Sequence, residues 1–179
     1  MRDAYSMKIA GLDRELKLYS VSDKLDIAAF ILFGDVEVTV AAAKELLKKA
    51  PEFDYILTPE AKSIPLAYEM SRQSGKQYVV ARKGVKVYMG NPVCVEVKSI
   101  TTQNVQKLYL GEDECNLIKD KRVLIVDDVI STGESLDAVR KLVEAAGAKE
   151  AASCAVLAEG DAADRDDIIF LEKLPLFFK

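Results

Sequence analysis

The stretch VLIVDDVISTGES, residues 123–135, decides how the rest of the chain is read. Val123 to Val126 form a short apolar run, as in a strand buried on both faces. Asp127 and Asp128 follow, then a Ser-Thr-Gly loop, then the helical pattern SLDAVRKLVEAAGAK, which stops at Gly147. A buried, unpaired carboxylate is costly, so something polar is expected to meet the two aspartates where the strand stops. Exposed backbone N–H groups in a Gly-containing loop at a helix start form an anion site. Ser131, Thr132 and Ser135 add hydroxyl donors. The loop is therefore predicted to hold a phosphate. The adjacent carboxylates are acceptors for a ribose diol, directly or through Mg2+. A phosphate beside a vicinal diol describes a ribose 5-phosphate. An acidic pair after an apolar strand also occurs in receiver domains and can merely cap a loop, but the whole string is more specific. The other phosphate motifs, GxxxxGK[ST] and GxGxxG after a strand, are not found.

Working outward, YSMKIAGLDRELKLYSV alternates around a Gly-Leu-Asp turn and predicts a hairpin. DVEVTVAAAKELLKKA predicts a helix capped by Asp35, with Val36, Val40, Ala43 and Leu47 at helical spacing. DYILT reads as a buried strand that stops at Pro59. SIPLAYEMSRQSG reads as a helix with Pro65 in its first turn and Gly75 at its end. QYVVAR is the next strand, and KVYMGNPVCVEVKSITTQNVQKLYLG reads as two extended ribbons around a polar turn. AASCAVLA and DIIFLE complete the series as strands. Alternating strands and helices predict an α/β fold, a doubly wound, mostly parallel sheet with helices on both faces. Such sheets bind ligands at the carboxyl ends of their strands. Two loops stand there, TPEAKSI after Thr58 and DDVISTGES after Val126.

The bulk properties agree. The 179 residues suit one domain, and half of them are hydrophobic, which argues against disorder. With 25 basic and 29 acidic residues the net charge is -4, so a nucleic-acid surface is not expected. Neither a transmembrane run nor the apolar core of a signal peptide is seen, and a cytoplasmic location is expected. Cys94, Cys115 and Cys154 lie far apart, which disfavours a disulfide framework or a zinc site. There is no histidine, so Ser-His and Cys-His nucleophile pairs and HExxH zinc sites are excluded.

VLIVDDVISTGES resembles the signature that type I phosphoribosyltransferases use for 5-phosphoribosyl-1-pyrophosphate (PRPP). The resemblance implies that Asp127 and Asp128 face the ribose hydroxyls and that Ser131, Thr132, Gly133, Glu134 and Ser135 wrap the 5-phosphate. Many relatives have a second Gly where Glu134 stands. A carboxylate repels phosphate, so Glu134 is expected to point outward and to offer its backbone N–H. TPEAKSI is similar to the pyrophosphate loop of adenine phosphoribosyltransferases, with Lys62 in place of an arginine, which implies that Glu60, Ala61 and Lys62 bind pyrophosphate. VVARKGVKV resembles the opening of those enzymes' mobile loop, with Arg82, Lys83 and Lys86 as further positive charge. The ending LEKLPLFF is similar to their tail, and the likeness runs from about Asp35 onward. It implies one domain over 1–179, with a small N-terminal hood over 1–34, a flexible β-ribbon lid over 83–108, and a homodimer.

The implied activity is transfer of ribose 5-phosphate from PRPP to a purine base, giving a nucleoside monophosphate and pyrophosphate. An oxocarbenium-like centre needs positioning and charge stabilisation more than an imidazole. Magnesium keeps waters and relies on substrate oxygens plus one or two carboxylates, so no dedicated protein metal site is expected. Glu159, after a strand, is a candidate for contact with the base, or simply a charged strand end. Xanthine enzymes tend to carry a lysine after that glutamate, and this chain has Gly160, which favours adenine. Lys173 could still swing in, leaving xanthine, hypoxanthine and guanine as alternatives. Phe30, Leu32 and Phe33 in IAAFILFGD are candidates for the apolar cover of the base. The remaining alternative is a non-catalytic regulator that senses PRPP or nucleotides.

Overall fold

The computed structural model describes residues 4–98 and 105–179. In chain order the elements are β1 (Ala4–Ile9), β2 (Leu12–Ser22), β3 (Leu25–Ala28), α1 (Val36–Lys49), β4 (Tyr55–Pro59), α2 (Ile64–Ser74) and β5 (Tyr78–Ala81). They continue as β6 (Val93–Lys98), β7 (Val105–Leu110), α3 (Glu112–Ile118), β8 (Arg122–Ile130), α4 (Glu134–Ala145), β9 (Lys149–Glu159), β10 (Ile169–Leu174) and β11 (Phe177–Phe178). None of the described helices is long and apolar enough to cross a membrane.

The central sheet is parallel, in the order β10-β9-β8-β4-β5. Its first strand, β4, lies between the second and the third, so chain direction across the sheet reverses between β4 and β8. A ligand crevice is expected at such a reversal. The β4–β8 ladder ends at Leu57 and Ile125, whereas β8 stays paired with β9 out to Ile130 and Ala158. The last turn of β8 thus has a neighbour on one side and an opening on the other. The aspartates do not end the strand, as the sequence suggested; they lie inside it, where β9 alone continues the ladder.

Helices α1 and α2 cover one face of the sheet, and Val38, Ala42, Leu46, Leu66 and Met70 are fully buried there with Ile56, Leu124 and Val156. The expected α1 stripe is rotated. Val36 and Val40 are exposed, and Val38, Thr39, Ala42, Ala43 and Leu46 face inward. Alanines on both flanks tolerate either rotation, and the one adopted brings Asp35 and Glu37 to Arg14 of β2. Its guanidinium meets the N-cap Asp35 at 2.7 and 2.9 Å and Glu37 at 2.8 Å. Asp35 also accepts from the Val38 N–H, and Arg14 first, then that bond, hold its carboxyl below the usual range. On the other face α4 packs with β6, β7 and α3 through Leu108, Leu110, Ile118, Val139 and Leu142. The short α3 was not expected; only Ile118 of it is buried, which leaves no periodic pattern to read.

The hood is a four-stranded sheet, β1-β2-β3-β11. Its first hairpin turns at Ala10 and Gly11, with Leu12 and Asp13 already in the strand. The hood is not confined to 1–34, because β11 pairs with β3. Phe177 packs edge-on against Tyr5 with centroids 5.1 Å apart, and Lys179 Nζ lies 2.9 Å from Asp26. The segment expected to form the lid, 83–108, joins the body of the fold at both ends. β6 and β7 pair from Val93–Leu110 to Lys98–Val105, Arg82 and Tyr109 exchange backbone hydrogen bonds, and Leu108 is buried. Met89 is buried too, and its carbonyl accepts from the Glu112 N–H. The turn at 99–104 lies outside the described residues.

Candidate active site

A cavity of about 510 Å³ opens at the β4–β8 crevice under the hood. Its floor is the end of β8. Asp127 and Asp128 both line the cavity, and their carboxyls are close enough to interact. The Asp127 carboxylate accepts from the Asp128 N–H at 2.9 Å. Asp128 is 3 % exposed, and its Oδ2 accepts no hydrogen bond among the described residues. Lys62 Nζ stands 2.9 Å from that oxygen, an ion-pair distance, but out of line for a hydrogen bond. Burial, and then the charge of Asp128, push the Asp127 carboxyl up to about 7; the Ser63 hydroxyl pulls weakly the other way. A second positive charge brought to the pair would favour full ionisation.

One wall is the β8–α4 loop. Gly133 caps α4 with φ 86°, a left-handed conformation that strains residues with a side chain. The first-turn N–H groups have no helical acceptor and point out of the helix start. Ser131, Thr132, Gly133 and Ser135 line the cavity. Glu134, in the first turn of α4, does not.

The opposite wall is the β4–α2 loop. Ser63 is fixed by the Thr58 hydroxyl at 2.7 Å, and Pro65 starts the helix. Glu60, Ala61 and Lys62 line the cavity, and the Glu60–Ala61 peptide is cis. The Glu60 carboxylate accepts from the Lys83 N–H at 2.9 Å and pairs with Arg82 at 3.3 Å; the first contact does most to lower its pKa. Arg82 also donates to the Tyr88 hydroxyl at 2.8 Å and lies off the cavity, in a groove beside β5. Of the three expected cations near this loop, Lys83 lines the cavity and Arg82 and Lys86 do not. Arg82 is drawn aside by Glu60, a partner the sequence did not suggest.

The roof comes from the hood. Ile27, Ala28, Ala29, Phe30 and Ile31 line it, with Leu174 and Glu159 beside them. Phe30 is where the sequence placed it. Leu32 and Phe33 are not: Leu32 is 1 % exposed in the core, and Phe33 is 56 % exposed away from the cavity. Residues 27–31 line the cavity in one run, which takes in Ile31 and stops before Leu32. Burial raises the Glu159 pKa, and the Lys62 charge partly opposes this. Lys173 is turned away toward Asp164, 3.2 Å distant. Ile31, Leu108 and Leu174 were missed because they come from distant parts of the chain, the segment after β3, β7 and β10.

The phosphoribosyl transferase domain family matches residues 36–175. The chain belongs to this family. Curated relatives include the hypoxanthine/guanine phosphoribosyltransferase of Methanothrix thermoacetophila, 38% identical over 64% of this chain and 56% of that protein. The chain thus spans little more than half the length of that relative. Another, from Methanococcus voltae, carries the same description and is 34% identical over 80% of this chain and 71% of its own. The adenine phosphoribosyltransferase of Clostridium acetobutylicum is 30% identical over 67% of each chain. Among solved structures, the adenine phosphoribosyltransferase of Thermoanaerobacter pseudethanolicus superposes with a TM-score of 0.68 at 25% identity, covering 79% of this chain and 84% of that one. These relatives and this structure are described as purine phosphoribosyltransferases.

The donor set suits a hard cation. Asp128 offers a buried oxygen without a donor, Asp127 lies beside it, and both are carboxylates. Among the described residues no group of three or more metal-ligating side chains could hold an ion alone. Magnesium would be held by this pair together with substrate oxygens, and would supply charge to a departing pyrophosphate.

Proposed function

We propose that this chain transfers the 5-phosphoribosyl group of PRPP to a purine base, with Mg2+, releasing pyrophosphate. The observation that carries the reading is the shared cavity: an unsatisfied buried carboxylate oxygen, a left-handed helix cap and a loop lysine face one space. The 5-phosphate binds the loop 131–135 and the ribose hydroxyls meet Asp127 and Asp128. Pyrophosphate lies against Ala61, Lys62 and Lys83. The bond from the anomeric carbon to pyrophosphate oxygen breaks, the bond to a ring nitrogen of the base forms, and that nitrogen's proton passes to the departing pyrophosphate or to solvent. Separated charge is stabilised by fixed dipoles and cations, with no covalent intermediate.

The base lies between Phe30, Ile31 and Leu174. Glu159, a charged side chain at that end, is an acceptor when ionised, which suits the exocyclic amino group of adenine. A second reading, a 6-oxopurine as substrate, is favoured by the relatives described as hypoxanthine/guanine enzymes. Incubation with PRPP, Mg2+ and one base at a time separates them. Formation of AMP alone supports adenine, formation of IMP or GMP supports the second reading, and no nucleotide with any purine refutes transfer.

A further inference from the structure

Arg165 follows the short 3-10 turn Gly160–Asp164, far in sequence from the phosphate loop. Its Nε and Nη2 donate to the two oxygens of Asp167 at 2.8 and 2.7 Å. Asp167 is held in turn by Arg140 of α4, whose Nη1 donates at 2.8 Å. Arg140 also donates to Glu150 at 3.1 Å, and Ser153 donates to Glu150 at 2.6 Å. A bidentate pair through the Nε–Nη2 edge fixes the guanidinium plane and leaves Nη1 on the far side. Nη1 makes no hydrogen bond among the described residues. It lies against Gly133: a Cβ placed on that glycine would be 2.5 Å from it. The Asp167–Arg165 pair is therefore a dipole with its positive end at the start of α4, where the first-turn carboxylate of Asp137 also acts on the guanidinium. The side chain is 27 % exposed, partly shielded from solvent screening.

We infer that Arg165 is a positioning residue for the phosphate loop, keeping Gly133 in its left-handed turn and setting a clamped positive charge behind the backbone that receives the 5-phosphate. This rests on the reading above that residues 131–135 bind that phosphate. Arg165 touches the loop and acts on the ligand through it. Loop order and positive potential both favour a phosphate dianion over a monoanion.

The test uses ribose 5-phosphate and pyrophosphate, each titrated calorimetrically into the full chain. Arg165→Gln is expected to weaken ribose 5-phosphate about tenfold, the scale of one charge-assisted contact, and to leave pyrophosphate within about twofold. The second ionisation of bound ribose 5-phosphate, followed by 31P NMR, should move to higher pH in Arg165→Gln and partly return in Arg165→Lys. Asp167→Asn keeps the cation but loosens its clamp, so a smaller loss in the same direction is expected; it decides the matter if Arg165→Gln does not fold. Unchanged ribose 5-phosphate affinity and ionisation in the variants would overturn the inference, as would equal losses for both ligands. Failure of the unaltered protein to bind ribose 5-phosphate would overturn the phosphate-loop reading and, with it, the role of Arg165.

Discussion

The two ends of the cavity are built differently. The phosphate end is one continuous segment, from Asp127 to Ser135, fixed by a strand on one side and a helix on the other. The base end is assembled from β3 and the segment after it, from β7, from the end of β9 and from β10, with β11 holding the hood in place. A local segment carries its chemistry wherever it sits. An assembled roof depends on which side of the chain each residue takes, and that is decided by packing.

The sharpest way to break this contrast is at the acidic pair. Asp127→Asn with Asp128→Asn should weaken PRPP by about 3–6 kcal/mol, from two charge-assisted contacts of roughly 1.5–3 kcal/mol each. Calorimetry with Mg2+ present measures it, and unchanged affinity would remove the ribose assignment. The roof can be tested by pairing neighbours. Leu32→Ala should destabilise the fold by about 2–4 kcal/mol in urea titration, as for other buried leucines, with base preference unchanged. Phe33→Ala should stay within about 0.5 kcal/mol of the parent, since its ring is largely in solvent. If Phe33→Ala alters base affinity instead, the roof has been drawn from the wrong residues.

A further contrast lies between the loops. Lys62→Ala should weaken pyrophosphate and PRPP roughly tenfold, about 1.4 kcal/mol, and barely affect AMP, which has no group at that wall. Equal losses for PRPP and AMP would make Lys62 a partner of Asp128 only. A last effect concerns pH. The folded Asp127 pKa is raised to about 7, so between the unfolded value near 3.9 and about 7 the native state binds the extra proton. Stability of the ligand-free protein therefore falls as pH rises through that window. Asp127→Asn should raise thermal stability at pH 8 by on the order of a few kcal/mol and leave it nearly unchanged at pH 3, where both states of the parent are largely protonated. Equal melting shifts at both pH values would show that the carboxyl is not raised.

The central sheet was legible because each of its elements carries a local signal. Pro65 and Gly75 bound α2, the apolar runs mark β4 and β8, and Gly147 ends α4. The rotation of α1 was not legible, since alanines on both flanks leave the choice to packing and contacts across the fold, Arg14 with Asp35 among them. The contribution of Phe177 and Phe178 to the hood was hidden for a similar reason: a two-residue strand has no periodicity, and its partner β3 lies at the other end of the chain. Arg82 shows the same limit within the site. Its charge was readable, but its direction was set by Glu60 and Tyr88.

A crystal structure of the protein with a purine nucleoside monophosphate tests the account most directly. It should place the phosphate among the N–H groups of residues 131–135, the ribose hydroxyls against Asp127 and Asp128, and the base between Phe30, Ile31 and Leu174. A phosphate seated instead at Glu60–Ser63, or a base outside the hood, would contradict it.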